Sequence, residues 1–546
     1  MINISINDIA VRYTVDGAEK RAHGPENEDL RLELCQKENR TTIRIKAKRP
    51  IKLITSSFEV PYHYDPDDHV FINGYQSWTD TREFGLHEHL HNLRRVPKFI
   101  RKIFHFDSYG DAWFMDYQKD QFHSFTYGYL KKKDGRAHLI GSLNEENAFL
   151  IVHYKRDAGV LSLRSDCEYK LVEDEFCLYD FEEYEGTVNE VLAQYFANYG
   201  TCSAPPVRGY TSWYLHYQDI NEEKILTALE GINSDHFDLF QIDDGYETFV
   251  GDWMDIDPVK FPHGLKPIVD KIHAKGLKAG IWLAPFVCET KSRLYQDHPD
   301  WLYKEDDQPV FAGSNWSGDV VLDIRLPQVQ DYITKCLTYY MDEGFDFFKL
   351  DFLYAAALLH EGKGYTRAEI MRKAMEGLRT ILKDKLILGC GVPLSSAFNL
   401  VDYCRIGPDV SLIFDDVFYM KPMHRERIST KITLQNTIFR AHMDGSVFRC
   451  DPDVFLLRDN DIKLSKEQRR ALCMLNHLCG SVYMTSDNVA EYDEEKKAVL
   501  KEAQALSLAE ITGSERNGNR ITITYILDGK EGRLVYDTKK GILLHS

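Results

Sequence analysis

Residues 237–285 read FDLFQIDDGYETFVGDWMDIDPVKFPHGLKPIVDKIHAKGLKAGIWLAP, and this stretch decides the fold. A short apolar run, Phe237 to Asp243, is followed by an amphipathic stretch, Gly264 to Lys275, and then by a second apolar run, Leu277 to Ala284. The spacing of the apolar residues predicts a strand, a helix and a strand, and Gly276 is a typical helix terminator. The stretch is therefore one βα unit followed by the strand of the next.

The same rhythm recurs from residue 204 to residue 488. Eight apolar runs have the length of strands, and seven of them precede a plausible helix. The eight are Val207 to Trp213, Phe237 to Asp243, Leu277 to Ala284, Phe345 to Asp351, Lys385 to Cys390, Val401 to Ile406, Ser446 to Cys450 and Ser481 to Ser486. Eight βα repeats within about 280 residues are typical of a (β/α)8 TIM barrel. The rival is a doubly wound open sheet, but no glycine-rich dinucleotide fingerprint follows the first strand.

Two β-rich regions flank the predicted barrel. Residues 1–203 contain short segments with two-residue alternation, separated by turn residues, which predicts an N-terminal β-sandwich. The pattern changes at Ala204-Pro205-Pro206, so we place the barrel at 204–488. Residues 489–546 begin with a predicted helix and continue with alternating runs joined through Asp528-Gly529, which is hairpin chemistry. A small antiparallel C-terminal β-domain is expected there, and the protein is multidomain.

The amino-acid composition argues against two classes of binding partner. The 546 residues include 67 Lys and Arg against 85 Asp and Glu, a net charge of −18. Such a surface repels phosphate backbones and anionic lipid, so we expect no nucleic acid and no membrane partner. The first residues lack the basic start and apolar core of a signal peptide, and eleven cysteines without CxxC spacing suggest free thiols. We expect a cytoplasmic protein, and the sequence leaves open a homo-oligomer.

Polar and aromatic side chains close several of the predicted strands. The carboxyl ends of the strands form the active-site face of a TIM barrel, so these residues are site candidates. In chain order they are Trp213, Asp243 and Asp244, Trp282, Lys349 and Asp351, Cys390, Arg405 and Asp409, and Asp451 and Asp453. Carboxylates accept hydrogen bonds from hydroxyls, and indole rings stack on the C–H face of a sugar. The set predicts a pocket for a neutral oligosaccharide or glycoside.

Asp351 and Asp409 are the best pair for cleaving a glycosidic bond. Retaining enzymes place two carboxyl groups about 5 to 5.5 Å apart, one as nucleophile and one as acid/base. Strand alternation puts Lys349 on the side of Asp351, where an ammonium would keep that carboxylate ionised. Asp409 follows Gly407-Pro408 in a loop, where partial burial would let it hold the proton for the leaving oxygen. We therefore expect a raised pKa at Asp409.

Other readings of the same residues remain open. An Asp at the end of a barrel strand often caps the next helix, and we favour such a structural role for Asp451 and Asp487. Cys390 and Trp282 also fit a barrel core. The sequence has no HxH after the first strand and no HExxH, so we predict catalysis without a metal or an organic cofactor. A non-catalytic sugar-binding protein would keep the same pocket.

These motifs resemble glycoside hydrolase clan D, and most closely family 36, the α-galactosidases. The resemblance covers most of the barrel and lies in GYTSW (209–213), FQIDDGY, GDWMDIDPVKFPHGLKPIVDKIHAKGLKAGIWLAP (251–285), HPDW (298–301), KLDF (349–352), GCG (389–391) and RIGPD (405–409). It implies that Asp351 is the nucleophile and Asp409 the acid/base. It also implies an N-terminal β-supersandwich.

The resemblance implies a galactose subsite as well. Asp243 and Asp244 would bind hydroxyls remote from the anomeric carbon. Lys349, Cys390 and Arg405 would complete the subsite, with Trp213 and Trp282 as aromatic walls. In this family the N-terminal domain contributes a further tryptophan to the pocket. The run NGYQSW (73–78) is the similar segment here, so the resemblance implies that Trp78 is the equivalent residue.

Two departures leave the substrate open. The family commonly has a Glu where this chain reads Leu283-Ala284-Pro285-Phe286, and its acid/base usually follows Ser, whereas Pro408 precedes Asp409 here. We expect a retaining exo-α-glycosidase, foremost an α-galactosidase. An α-N-acetylgalactosaminidase or a transglycosylase of the same clan would need the same core residues.

Overall fold

The computed structural model describes residues 2–91, 93, 96–118, 121–233, 236–359, 364–415 and 425–544. Two antiparallel sheets come first along the chain, a parallel barrel follows, and a four-stranded antiparallel sheet ends it. This order confirms the predicted fold class. The predicted boundary at 204 lies between a 3-10 helix at Ala197–Tyr199 and the first barrel strand, and the one at 489 lies at a 3-10 helix, Val489–Glu491.

The N-terminal strands form two facing sheets. They are β1 Ala10–Val15, β2 Ala18–His23, β3 Leu30–Lys37, β4 Arg40–Ala47, β5 Ile51–Pro61, β6 His69–Ile72, β7 Arg82–Gly85, β8 Gln121–Phe125, β9 Tyr127–Lys131, β10 Arg136–Ser142, β11 Leu150–Lys155, β12 Val160–Ser165, β13 Leu171–Val172 and β14 Glu175–Thr187. One sheet has the order β2-β1-β5-β12-β11-β8, with β13 beside β5, and the other has the order β3-β4-β14-β10-β9-β6-β7. Burial alternates along strands such as β1, because a two-residue period sends every second side chain into the space between the sheets.

Eight parallel strands form the barrel within the described residues. They are β15 Val207–Thr211, β16 Leu239–Ile242, β17 Lys278–Leu283, β22 Phe347–Leu350, β23 Leu386–Gly389, β24 Tyr403–Arg405, β25 Arg449–Asp451 and β26 Val482–Thr485, and the loops between them carry β18 Val287–Glu289, β19 Lys304–Glu305, β20 Gln308–Pro309 and β21 Asp319–Val321. Neighbours pair in the order β25-β24-β23-β22-β17-β16-β15-β26. The backbone N–H of Ser481 donates to Cys450 O at 3.0 Å and closes the gap between β25 and β26. All eight sequence-predicted strands are present.

Helices connect and surround the strands. They are α1 Lys98–Ile103, α2 Val188–Phe196, α3 Trp213–His216, α4 Glu222–Glu230, α5 Lys266–Ala274, α6 Arg293–Asp297, α7 Pro327–Asp342, α8 Arg367–Leu382, α9 Leu394–Ala397, α10 Thr430–Arg440, α11 Lys466–Cys479 and α12 Glu494–Leu506. The side chain of Asn221 caps α4, as its sequence position predicts. The sequence pattern predicts a helix at 424–442 before β25; residue 424 lies outside the described residues, and the observed helix α10 begins at Thr430. Within the described residues, every helix is too short or too polar to cross a lipid bilayer.

The C-terminal sheet and the sandwich both pack on the barrel. The sheet consists of β27 Glu510–Asn517, β28 Arg520–Leu527, β29 Lys530–Asp537 and β30 Ile542–Leu544. One hydrophobic core fills the sandwich, and a larger one runs from its second sheet through the barrel to the C-terminal sheet. Tyr127 of the sandwich shares a hydrogen bond of 2.7 Å with His442, which follows α10. This contact holds the sandwich beside the connection between β24 and β25, the sixth and seventh strands of the barrel.

Candidate active site

The sequence-predicted residues come together at the carboxyl ends of the barrel strands. Asp243 directly follows β16, and Asp351 directly follows β22. Cys390 directly follows β23, and Arg405 is the last residue of β24. Trp282 lies in β17, and Trp213 begins α3 just beyond β15. Because parallel strands end at one edge, their terminal side chains meet there. The contacts among these residues build a single polar site.

Lys349 and Asp243 form a buried ion pair. Lys349 Nζ donates to Asp243 Oδ2 at 2.8 Å, and Gln241 donates to the same oxygen at 3.0 Å. Burial alone would raise the pKa of Asp243, but the ammonium outweighs burial and holds the pKa below its usual range. The charged form of Asp243 is therefore stable inside the barrel. The sequence predicts that this ammonium serves Asp351, whereas its hydrogen bond goes to the acid that follows β16, two strands away in the barrel.

Asp244 is held by residues from three different loops. Its Oδ2 accepts hydrogen bonds from Gln218 at 3.0 Å and from the Trp316 indole at 2.9 Å. The carboxyl of Glu247 hydrogen-bonds Asp244 as well. Burial raises the pKa of both acids, and the nearby charge of Asp244 raises the pKa of Glu247 further. Glu247 therefore holds the proton that the two carboxyl groups share.

Asp351 accepts hydrogen bonds at both carboxylate oxygens. The Trp282 indole donates to Oδ2 at 3.3 Å, and the backbone N–H of Phe352 donates to Oδ1 at 2.8 Å. Phe352 has a φ of 54°, a left-handed conformation, so the chain turns sharply directly after Asp351. A Cβ added at Gly391 would lie 3.4 Å from Asp351 Oδ1, so the chain after β23 passes close to this carboxylate. Two donors and close backbone fix its orientation.

Asp409 lies beside Arg405, with a fifth of its side chain exposed. Arg405 Nη1 donates to Asp409 Oδ1 at 2.8 Å, and the relative exposure of the Asp409 side chain is 21%. Burial raises the pKa of Asp409, the cations of Arg405 and Lys349 oppose that rise, and the charge of Asp351 adds to it. The net pKa lies above the usual range, in the direction expected from the sequence. The charge of Asp351 acts on Asp409, so the two carboxyl groups lie near enough to influence each other.

Arg405 binds two further carboxylates behind Asp409. Its Nε donates to Asp451 Oδ2 at 3.0 Å, and its Nη2 lies 2.8 Å from Asp453 Oδ1. Burial alone would lower the pKa of Arg405, but Asp453 and Asp451 hold it well above its ordinary value. Asp451 therefore orients the guanidinium, whereas the sequence favoured a role in capping the next helix.

Cys390 is buried at the end of the fifth barrel strand. Burial raises the pKa of its thiol well above its usual range, and the charge of Asp351 raises it further. The neutral thiol is a small apolar group in the floor of the site. Such a group accommodates a ligand without offering a charge.

Trp78 lies on a loop of the N-terminal sandwich that docks on the barrel. Ser77 N donates to Val392 O at 3.0 Å, and Arg440 Nη1 donates to both Ser77 O and Ile406 O at 2.7 Å. Val392 and Ile406 come two residues after Cys390 and one after Arg405, so the loop reaches the active-site end of the barrel. The indole Nε1 of Trp78 is buried and has no hydrogen-bond partner among the described residues.

Sequence reasoning did not predict three residues of the site and assigned no role to a fourth. Gln218, Glu247 and Trp316 all bind Asp244, and Asp453, though found at a strand end, had no role assigned. Trp316 lies in a loop far along the chain from Asp244, so no local pattern connects the two. Glu247 does carry a signal, because its position three residues after Asp244 within one tight turn keeps the two carboxyl groups near each other. Among the described residues, no group of three or more His, Cys, Asp or Glu side chains is arranged to hold a metal ion.

Comparison with known proteins identifies related barrels. Residues 202–383 match the Melibiase family model. The α-galactosidase of Thermus thermophilus, solved in complex with p-nitrophenyl α-D-galactopyranoside, aligns with a TM-score of 0.71 at 27% identity, over 96% of this chain and 98% of that one. Its complex with stachyose aligns with a TM-score of 0.70 at 28% identity, over 91% and 99% of the two chains.

Sequence relatives match over shorter stretches. Alpha-galactosidase 2 of Pediococcus pentosaceus is 31% identical over 126 residues, 22% of this chain and 17% of that protein. Alpha-galactosidase C of Emericella nidulans is 31% identical over 160 residues, 26% of this chain and 20% of that protein. The matched stretches span about a fifth of the length of these curated relatives.

Proposed function

We propose that this chain is an α-galactosidase that removes terminal α-linked galactose from oligosaccharides, and two findings support it: residues 202–383 match the Melibiase family model, and the fold aligns along nearly its whole length with the α-galactosidase of Thermus thermophilus. The Thermus thermophilus relative binds p-nitrophenyl α-D-galactopyranoside and stachyose, which carry such galactose. The observation that carries the proposal is the pairing of Asp351 with Asp409. One carboxylate is fixed by two hydrogen-bond donors, and the other, with a raised pKa, is partly open to the site.

We propose a retaining double displacement. The ionised carboxylate of Asp351 attacks the anomeric carbon, and the bond from that carbon to the leaving oxygen breaks as Asp409 transfers its proton to that oxygen. A galactosyl-Asp351 ester and an ionised Asp409 result. Asp409 then takes a proton from water as the water oxygen attacks the anomeric carbon, which releases galactose with its α configuration and restores both carboxyl groups. No metal ion or organic cofactor takes part in these steps.

The remaining residues bind the sugar in this proposal. Asp243 is ionised because of Lys349 and accepts hydrogen bonds from galactose hydroxyls. Asp244, which Gln218 and Trp316 orient, does the same. Trp282 and Trp213 give the apolar faces for the ring carbons, and Trp78 closes the pocket from the side of the N-terminal sandwich.

A substrate panel tests the activity. The protein is incubated with aryl α-glycosides of galactose, N-acetylgalactosamine and glucose, with and without melibiose as a sugar acceptor. We expect the galactoside to be cleaved at least about tenfold faster than the others, and proton NMR to show α-galactose as the first product. Preference for the N-acetylated glycoside, a dominant transfer product, or binding without turnover would each replace the proposal with one of the alternatives that the sequence leaves open. β-Galactose as the first product would exclude the retaining mechanism.

We further propose that the protein works in the cytoplasm. Its eleven cysteines are all free thiols, and eight of the described ones are buried single residues in strands, helices or the segments that follow them. A reducing compartment suits such a set. Cell fractionation with a cytoplasmic and a secreted marker tests the location, and recovery of the activity with the secreted marker would contradict it.

A further inference from the structure

The guanidinium of Arg405 binds three carboxylates. Nε binds Asp451 at 3.0 Å, Nη1 binds Asp409 at 2.8 Å and Nη2 binds Asp453 at 2.8 Å. Each guanidinium nitrogen therefore serves a different acid. Three carboxyl groups share one positive charge, and an excess of negative charge in a buried cluster favours a proton on one of them.

Asp453 has contacts on both sides of Asp409. Its Oδ1 binds Arg405, which is the cation beside Asp409, and its Oδ2 accepts the backbone N–H of Val410 at 2.7 Å. Val410 directly follows Asp409 in the chain. Tyr214 O–H donates to the same Oδ2. Asp453 is only 1% exposed and has a φ of 77°, so the chain turns sharply to bring this carboxylate to Arg405 and to the Asp409 loop.

The division of Arg405 among three partners matters for the proton on Asp409. A guanidinium that faces one carboxylate alone tends to bind it through two parallel hydrogen bonds, and such a pair strongly favours the ionised acid. In this structure Asp409 receives one hydrogen bond from Arg405, because Asp453 and Asp451 occupy the other two nitrogens. Asp409 can therefore keep a proton beside a permanent cation.

We propose that Asp453 is a positioning residue for the acid/base group: it holds Arg405 and the Val410 amide so that Arg405 gives Asp409 a single hydrogen bond and Asp409 keeps the proton that the leaving oxygen needs. The inference rests on the proposed function in assigning the acid/base role to Asp409. Asp453 does not contact the substrate itself, and it acts on the Asp409 carboxyl through Arg405 and the backbone at Val410. Burial, the charges of Asp409 and Asp451, and the opposing Arg405 cation together put the pKa of Asp453 at about 7, so the cluster holds its shared proton near neutral pH.

The environment of Asp409 contains other titratable groups, and a test must separate Asp453 from them. Arg405 and Lys349 lower the pKa of Asp409, and Asp351 raises it. Among the described residues, Tyr214, Tyr217, Cys390 and Asp453 also interact electrostatically with Asp409.

The test compares Asp453→Asn with a matched control, Asp487→Asn. Asp487 is also a fully buried acid at a barrel strand end, and its donors are of the same kind: Arg458 Nη1 at 3.0 Å, Leu457 N at 2.6 Å and Tyr492 O–H at 2.6 Å. It makes no contact with Arg405 in the described residues. Both variants lose a buried carboxylate of the same type, so a general loss of stability affects them alike. Circular dichroism and thermal melts verify that each variant is folded.

The readout is the pH dependence of kcat/KM on two substrates, p-nitrophenyl α-galactoside and melibiose. For Asp453→Asn we expect the alkaline limb to move at least about one pH unit lower, because Arg405 can then pair more fully with Asp409 and lower its pKa. At neutral pH, melibiose hydrolysis should fall at least about tenfold and nitrophenyl galactoside hydrolysis less than about threefold, since nitrophenolate leaves without a proton. Asp487→Asn should keep the wild-type alkaline limb and the wild-type ratio of the two rates.

The outcomes are distinguishable. An unmoved alkaline limb, or an equal loss on both substrates, in a folded Asp453→Asn would overturn the inference while leaving the proposed function intact. Failure of the proposed function would appear as a wild-type protein without hydrolysis of either substrate. In that case an infrared titration of the protonated carboxyl band, with Asp409→Asn to assign it, decides the inference alone: the band of Asp409 must lose its proton at lower pH in Asp453→Asn, and an unshifted band overturns it.

Discussion

The indole of Trp316 donates a hydrogen bond to Asp244, with 2.9 Å between Nε1 and Oδ2. Trp316 lies in the loop that leads into β21 and has a φ of 50°. Its ring lies 6.0 Å from the Trp282 ring and 5.1 Å from the Phe352 ring, measured between centroids. The loop thereby extends the aromatic wall of the third strand and connects it to the acid at the end of the second.

Trp316 is therefore expected to contribute to substrate affinity. Trp316→Phe keeps an aromatic ring and removes the hydrogen bond to Asp244, and an intramolecular hydrogen bond is typically worth about 1 kcal/mol. We expect KM for p-nitrophenyl α-galactoside to rise about five- to tenfold with kcat changed less than about twofold. Trp316→Ala should raise KM further because the ring contacts are lost as well. A Trp316→Phe variant with the wild-type KM would show that Asp244 does not need this donor.

Glu247 is expected to act as a neutral donor to Asp244. Burial and the charge of Asp244 raise its pKa well above the usual range, so Glu247 keeps its proton at pH values where an ordinary glutamate is ionised, and two adjacent carboxylates would repel each other once the proton is lost. We expect the wild-type KM to rise on the alkaline side, and Glu247→Gln to keep a low, pH-independent KM because its amide donates at every pH. Glu247→Ala, which removes the donor, should raise KM about tenfold. Steady-state kinetics from pH 5 to 9 check this, and a Glu247→Gln variant as poor as Glu247→Ala would contradict it.

Much of the barrel is predictable because its signals are local. The run that forms β22, for example, is a short apolar segment bounded by polar residues, and alternation and turn chemistry mark the strands on either side of the barrel. The strand ends then indicate Asp243, Asp351 and Arg405, since the fold itself makes those positions the active-site face.

The partners of those residues depend on contacts between distant parts of the chain. Lys349 comes two residues before Asp351, and the sequence suggests that it serves that acid, but the curvature of the barrel brings it to Asp243, 106 positions away. The reach of Trp316 to Asp244 depends on the path of an irregular loop, which no periodicity describes. Sequence position gives the candidates, and packing decides which of them bind one another.

Asp319, in the segment that follows Trp316, is expected to make the stability of the fold depend on pH. It is fully buried, its Oδ1 accepts the backbone N–H of Asn315 at 2.9 Å, and burial raises its pKa to about 7. The folded state therefore binds this proton more tightly than the unfolded state, so its stabilising contribution is complete below about pH 4 and is lost as the pH rises to about 7. Asp319→Asn, which stays neutral, should gain thermal stability relative to the wild type at pH 8 compared with pH 5, by an amount on the order of 1 to 2 °C.

Thermal melts at both pH values test the Asp319 prediction. The exposed acid Asp270 gives the control, because Asp270→Asn removes one negative charge outside the loop and its side chain is 59% exposed. A difference between Asp319→Asn and wild type that is the same at pH 5 and pH 8 would show that the proton on Asp319 does not contribute to stability.

Asp351→Ala should abolish turnover and reveal the nucleophile by its products. Removing the attacking carboxylate is expected to lower kcat on p-nitrophenyl α-galactoside by at least about a thousandfold. Azide can enter the vacated space and attack the anomeric carbon from the same side, so the expected product with azide is β-galactosyl azide. Near-wild-type turnover, or no azide adduct in a folded variant, would assign the nucleophile to another residue.

Asp409→Ala should separate substrates by the basicity of the leaving oxygen. Without the acid, melibiose hydrolysis is expected to fall at least about a thousandfold, whereas formation of the galactosyl-Asp351 ester from p-nitrophenyl α-galactoside needs little protonation and should fall far less. The ester should then accumulate, because the base that activates water is also missing, and azide should release it as α-galactosyl azide. The α configuration here and the β configuration with Asp351→Ala together place the two carboxyl groups on opposite sides of the anomeric carbon. The same azide anomer from both variants, or unchanged hydrolysis of melibiose by Asp409→Ala, would remove Asp409 from the acid/base role.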